Sequence, residues 1–353
     1  MDRALQFSGT KDVDPKLLLD HVPLDKYLKN LLGSDTNLLN IKQFKGGQSN
    51  PTYLIQTNLK NFVLRRKPPG KLLASAHAVD REYKIITALD KTDVPVPKTY
   101  DLCEDISVAG TPFFLMDHVE GNIFWDLTLA KCSPEERGKI YWSMNDTIAK
   151  LHNADFKRIG LSNYGKHENY MARQIARWTK QYKDSETTLI PEMDNLIEWL
   201  PENIPSGEET SIVHGDFRLD NMVFDKDTNE VIAILDWELS TLGHPIADFT
   251  YHMMCWKLPL AAEGIGILGA NLKELNIPNE NEYAEAYYKK TNRNEIQDWD
   301  FFFAYNMFRL AGITQGIAGR VRDGTASSDQ AKQYAAFVPI LAKMAWHTVE
   351  AIK

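Results

Sequence analysis

The 353-residue chain is long enough for roughly two packed units and a sizeable core without a metal or disulfide staple. With 43% hydrophobic and 25% charged residues it lies near globular averages, which excludes disorder as its overall state. Forty basic against 48 acidic residues leave a net charge of −8, so no basic excess supplies the phosphate footprint of a nucleic-acid-coating protein, although a local anion site stays allowed.

Cys103, Cys132 and Cys255 are far apart and form no CxxC or Cys/His cluster, which argues against a disulfide framework and structural zinc and fits a reducing compartment. The first residues are interrupted by acidic side chains and resemble neither a secretory signal nor a basic transit helix, so a cytoplasmic location is expected, or an organellar one if the chain is a piece of a larger eukaryotic protein. The most apolar stretch, Phe301 to Ala318, contains Asn306, Arg309 and Gln315 and reads as a buried helix, not a membrane span.

In chain order, a first helix is expected around Asp14 to Leu32. Strands follow at Ile41–Phe44, Thr52–Gln56 and Phe62–Arg66, separated by a Gly46–Pro51 turn and an Asn58–Asn61 turn, which together predict an antiparallel sheet. Val79 to Leu89 has helical apolar spacing, Val94 to Tyr100 is a proline-punctuated extended segment, and Thr111 to Val119 reads as a further strand. Glu120-Gly121-Asn122 then looks like a joint, dividing a strand-rich lobe, residues 1–119, from a helix-rich lobe, residues 120–353. Ser133-Pro134-Glu135-Glu136 has the form of a helix cap and opens a helix to His152. Further helices are expected over Glu168–Tyr182, Met193–Leu200, Tyr283–Lys289, Trp299–Ile317 and Asp329–Ile352, around a β-rich core at Ser211–Trp237.

The strongest chemical signal is His214-Gly215-Asp216-Phe217-Arg218-Leu219-Asp220-Asn221, followed by a short strand, a polar turn and Ile234-Leu235-Asp236-Trp237-Glu238. A hairpin can bring Asp216, Asn221 and Asp236 to one cleft, with one carboxylate to orient a hydroxyl nucleophile and two oxygen ligands for a phosphate-bound Mg²⁺. The alternative is that these residues cap an ordinary turn and end a hairpin. Arg218 is placed to contact a transferring phosphate, or else to pair with Asp220 or Glu238. The Gly46-Gly47-Gln48-Ser49-Asn50 turn can bring backbone N–H groups near phosphates, or serve as a plain hairpin turn.

The HGDxxxxN segment from His214 to Asn221, with Asp236 downstream, resembles the catalytic segments of the aminoglycoside phosphotransferase and choline kinase superfamily. The wider string IVHGDFRLDNMVFD, ILDWE and GHPIADF more closely resembles the phosphotransferase-like N-terminal domain of certain acyl-CoA dehydrogenase family proteins, members 10 and 11, over about Ile41 to Val349. The resemblance implies an α+β, bilobal protein-kinase-like fold with an antiparallel β-rich N-lobe and a mainly helical C-lobe. It implies a catalytic role for Asp216, beside which Arg218 stands as the second catalytic candidate, and metal-binding roles for Asn221 and Asp236. It also implies nucleotide contacts from Gly47, Gln48, Ser49, Asn50 and Arg65, the last replacing the usual lysine with Glu82 as its partner, and from Met116, Asp117 and His118 at an adenine-lined hinge. Asp248 is expected to brace the catalytic loop, and His214 to shape it.

The expected function is therefore an ATP- and Mg²⁺-dependent phosphotransferase acting on a small-molecule hydroxyl, with a hydroxyacyl-CoA as the acceptor the closer resemblance suggests. An aminoglycoside or choline-like alcohol kinase, or a noncatalytic nucleotide-binding module, is the alternative. The resemblance allows an acyl-CoA dehydrogenase partner, fused or separate, and the oligomeric state stays open.

Overall fold

The computed structural model describes residues 7–46, 50–70, 78–260, 266–294, 298–324 and 336–352. In chain order the strands are β1 Thr10–Lys11, β2 Leu38–Phe44, β3 Thr52–Thr57, β4 Asn61–Arg66, β5 Thr99–Cys103, β6 Phe113–Asp117, β7 Ser211–Val213, β8 Met222–Phe224, β9 Val231–Ile234 and β10 Thr241–Gly243. The described residues form two compact units. One comprises those within Met1–Ser162, Arg218–Ser240 and Ala270–Tyr283; the other, those within Asn163–Phe217, Thr241–Gly269 and Ala284–Lys353.

The first unit is built on an antiparallel sheet in the order β1-β2-β3-β4-β6-β5. Alternation along the strands sorts its two faces. Phe62 and Leu64 of β4, Tyr53 and Ile55 of β3 and Phe113 and Leu115 of β6 join Leu24 and Leu28 in the core under the sheet. Leu24 and Leu28 come from helix His21–Leu32, which the Asp20 carboxylate caps by accepting from Val22 N–H at 3.0 Å. The helix expected from Asp14 thus begins later, after a three-residue 3-10 turn at Pro15–Leu17.

The pleat separates the two adjacent arginines of β4. Arg66 faces the core, donating to Ala109 O at 2.5 Å and Leu17 O at 2.8 Å, whereas Arg65 shares the opposite face with Val63, Phe114 and Met116. Helix Val79–Leu89 lies where the spacing predicts it and presents Glu82 and Ile86 to that second face. The capping box at Ser133 forms, with Ser133 N–H donating to Glu136 and Glu136 N–H to Ser133 Oγ, and starts helix Pro134–Asn153.

The β8–β9 hairpin belongs to the same unit. Its register pairs Met222 with Ile234, and Asn122 exchanges two 2.8 Å backbone bonds with Phe224. That approach requires Gly121, where a Cβ would come within 2.4 Å of Phe224 O.

The second unit holds helices Tyr170–Ser185, Pro191–Glu202, Pro245–Lys257, Trp299–Arg322 and Val338–Glu350 with the β7–β10 pair. The apolar Phe301–Ala318 stretch is a buried helix as expected. Among the described residues no helix is long and apolar enough to cross a membrane. Trp178, Tyr182, Trp256 and Tyr305 are all buried in its packing. Helix Pro245–Lys257 is not anticipated by periodicity because 12 of its 13 residues are buried, which leaves no polar face to mark a helical repeat. The last expected helix is present over Val338–Glu350, and residues 325–335 lie outside the described residues.

Candidate functional site

In the first unit, a cavity of about 250 Å³ is lined by Arg65, Glu82, Met116, Asp117, His118, Asn221 and Asp236, among others. Arg65 is its electrostatic centre. Its Nε lies 2.8 Å from Glu82 Oε2 and its Nη2 2.8 Å from Asp236 Oδ1, with Glu238 Oε2 at 3.7 Å. The forked guanidinium spans two carboxylates at once, which a lysine ammonium could not do with the same geometry. Burial opposes the arginine's charge, but Glu82, Asp236 and Glu238 outweigh it and hold its pKa above the ordinary value.

Glu82 is buried to 1% exposure, and Asn50 Nδ2 donates to its Oε1 at 2.8 Å. The Asn50 side chain thus ties the end of the glycine turn to helix Val79–Leu89. Gly47, Gln48 and Ser49 lie outside the described residues. Burial pushes the Glu82 carboxyl up to about 7, against the pull of Arg65 and with the help of Asp236. Folding therefore favours its neutral form, a contribution complete below the ordinary value of 4.5 and lost as pH rises through about 7. Urea unfolding is expected to show wild type losing stability relative to Glu82→Gln across that window; parallel pH curves would exclude Glu82 as the titrating group.

The hairpin places the two candidate metal ligands at one end. Leu235 N–H donates to Asn221 O at 2.8 Å, so Asn221 and Asp236 flank the same last rung. Asp236 adopts left-handed backbone angles, φ 63° and ψ 61°, that few residues other than glycine, asparagine and aspartate accept. Buried Trp237 anchors the turn, its Nε1 donating to Ile234 O at 2.9 Å. One guanidinium facing three carboxylates leaves room for further positive charge. Two oxygen donors suit Mg²⁺, which usually completes its shell with water and phosphate oxygens. The residues present fit that ion.

The other predicted contacts divide. Met116 lines the cavity from β6. Asp117 directs its carboxylate to Lys60 and to Tyr100 Oη, and its N–H to Lys98 O at 2.8 Å. Burial lowers the His118 pKa, with Glu120 opposing, and its Nδ1 is buried with no hydrogen-bond partner among the described residues. Arg218 Nη2 pairs with Asp220 Oδ2 at 2.9 Å, the pairing weighed against phosphate contact from the sequence.

Asp216 lies in the second unit, where three side chains shape its loop. The Asp248 carboxylate accepts from His214 N–H and Gly215 N–H, each at 2.8 Å, the bracing role expected of it. Arg309 Nη2 donates to Gly215 O at 2.6 Å, and Gly215 has φ 83°. Tyr251 Oη donates to Asp216 Oδ1 at 2.7 Å while the Arg309 guanidinium stacks 4.7 Å from the Tyr251 ring centroid. Sequence reasoning passed over Tyr251 and Arg309. The available signals were Tyr251 three residues after Asp248, one helical turn on, and an arginine inside an apolar run. Asp248→Ala is expected to cost about 3–5 kcal/mol, since it removes a charged acceptor from two buried N–H groups. Hydrogen exchange at His214 and Gly215 should accelerate accordingly; unchanged protection would show that Asp248 does not hold the loop.

The Phosphotransferase enzyme family model matches residues 40–284. The chain is 42% identical over 340 residues to mouse acyl-CoA dehydrogenase family member 10, covering 96% of this chain and 32% of that protein. It therefore spans about a third of that relative's length. A solved Ralstonia eutropha protein, provisionally assigned as an aminoglycoside phosphotransferase, superposes with a TM-score of 0.88 at 46% identity, covering 95% of this chain and 99% of that one. Choline kinase from Cryptosporidium parvum shares the fold, with a TM-score of 0.64 at 12% identity over 94% of this chain and 96% of its own. The α+β, kinase-like fold expected from the sequence is thereby established.

Proposed function

Because the chain belongs to the phosphotransferase enzyme family, we propose that it is an ATP- and Mg²⁺-dependent kinase that phosphorylates a hydroxyl group of a small molecule, with a CoA-linked hydroxyacyl compound as the acceptor. The observation that carries the reading is Arg65 tied to both Glu82 and Asp236 inside a cavity that Asn221 also lines. The acceptor class is supported by the similarity to an acyl-CoA dehydrogenase family protein.

Asn221 and Asp236 would hold Mg²⁺, which when bound neutralises charge on the phosphates of the nucleotide. Arg65 contributes a fixed cation on the nontransferred phosphates, and Glu82 keeps its guanidinium aimed. Asp216 accepts the proton of the acceptor hydroxyl as that oxygen bonds to the γ-phosphorus and the bond to the bridging oxygen of ADP breaks. Tyr251 fixes the orientation of the Asp216 carboxylate by donating to its Oδ1.

The test is incubation of the purified protein with ATP·Mg²⁺ and a panel of hydroxyacyl-CoAs, choline-like alcohols and aminoglycosides, read by mass spectrometry. A phosphorylated hydroxyacyl-CoA supports the proposal in full, and a product from another panel class reassigns the acceptor. Nucleotide binding with no product from any class favours a noncatalytic module.

A further inference from the structure

The segment before β2 takes part in the cavity of the first unit, although no part of the proposed mechanism uses it. Phe7, Ser8 and Gly9 line that cavity with Phe44, His118 and Trp125. The Phe7 and Trp125 rings are stacked, with centroids 5.4 Å apart and planes 27° from parallel, and Trp125 Nε1 donates to Ser8 Oγ at 2.8 Å. The Phe44 and His118 rings, with centroids 6.0 Å apart, line the same cavity.

We propose that Phe7, Ser8 and Trp125 form a clamp on the base of the bound nucleotide, carried on a strap, Phe7–Lys11, that lifts to exchange it. This rests on the reading of the cavity as a nucleotide site. Two aromatic ring pairs and a buried imidazole nitrogen without a hydrogen-bond partner among the described residues match a planar heteroaromatic ring that offers both a π-face and polar edges. Phosphates alone would gain nothing from such rings.

The attachment of the strap is suited to opening. β1 contributes two residue pairs to the sheet, Thr10 with Phe44 and Lys11 with Gln43, and Lys45 N–H donates to Gly9 O at 3.1 Å. A strand of two residues at a sheet edge is far shorter than the usual five or so, and such elements open locally without global unfolding. Closing the stack returns Phe7 to Trp125 and Ser8 to the indole N–H, so the closed state is defined by two specific contacts.

Stopped-flow release of mant-ADP from the full chain tests the clamp, with wild type compared to Phe7→Ala, Trp125→Ala and the milder Ser8→Ala. Loss of one stacking wall is expected to speed release about tenfold in the first two, and loss of the Ser8 hydroxyl about threefold, while the nucleotide-free unfolding temperature stays near wild type. Release rates equal to wild type would overturn the clamp and leave the nucleotide site standing. Faster release accompanied by a matching fall in the unfolding temperature in all three variants would make the segment structural and overturn it too. Failure of wild type to bind mant-ADP would overturn the nucleotide reading and the clamp together.

Discussion

Replacing Asp216 by asparagine is expected to lower turnover at least about a hundredfold while leaving the KM for the nucleotide and the unfolding temperature close to wild type. The amide is nearly isosteric, so Tyr251 can still donate to the retained oxygen. The loop itself is held by groups the substitution does not touch, namely Asp248 on the His214 and Gly215 amides and Arg309 on the Gly215 carbonyl. What disappears is the proposed proton acceptor. A loss confined to kcat would assign Asp216 to the chemical step; a parallel loss of folded protein would reduce it to a turn residue. Full activity in Asp216→Asn would remove it from the mechanism. The comparison is best made on whichever acceptor of the panel gives product, with wild type and variant purified side by side.

The largest stability effect is expected at Arg65. Arg65→Met should cost about 3–5 kcal/mol in urea unfolding above pH 7, where Glu82 is ionised, because it strands that buried carboxylate without its counter-ion. Glu82 exposes only 2% of its side chain, so water cannot replace the arginine. The double variant Arg65→Met/Glu82→Gln should recover most of that loss, since the charge that made the single substitution costly is gone. Arg65→Lys should fall between them, keeping the charge but losing the fork that reaches Glu82 and Asp236 together. Additive single and double effects would show that Arg65 and Glu82 are not coupled. Nucleotide affinity should fall in all the Arg65 variants, including the double variant whose stability recovers, which separates the two roles of the residue.

The site was legible in proportion to how local its signals are. His214-Gly215-Asp216 and Asn221 stand in one short string, and Asp236 follows a recognisable strand, so residue type and spacing sufficed to find them. Arg65 was separable from Arg66 only through its alignment with a phosphate-contacting position, and the pleat of β4 then placed it on the cavity face and Arg66 on the core face. Asp248 was legible as a brace through the GHPIADF resemblance. Tyr251, on the same helix, was not, because a helix buried all round shows no periodic polar face. Trp125 and the strap escaped notice for another reason: a two-residue strand and a single stacked ring leave no pattern in the residues around them.

By itself the sequence determined the alternation of β3 and β4, the helix at Val79–Leu89, the capped start at Ser133 and the order of strand-rich and helix-rich segments. Each of these depends on interactions between residues a few positions apart, where periodicity and capping chemistry act. The tertiary structure alone decided that Arg65 reaches Asp236 across 171 positions, that Asn50 holds Glu82 across 32, and that Tyr251 meets Asp216 across 35. Such contacts depend on which faces of the sheet and helices are buried together, and burial is a property of the packed chain that no local window of residues contains.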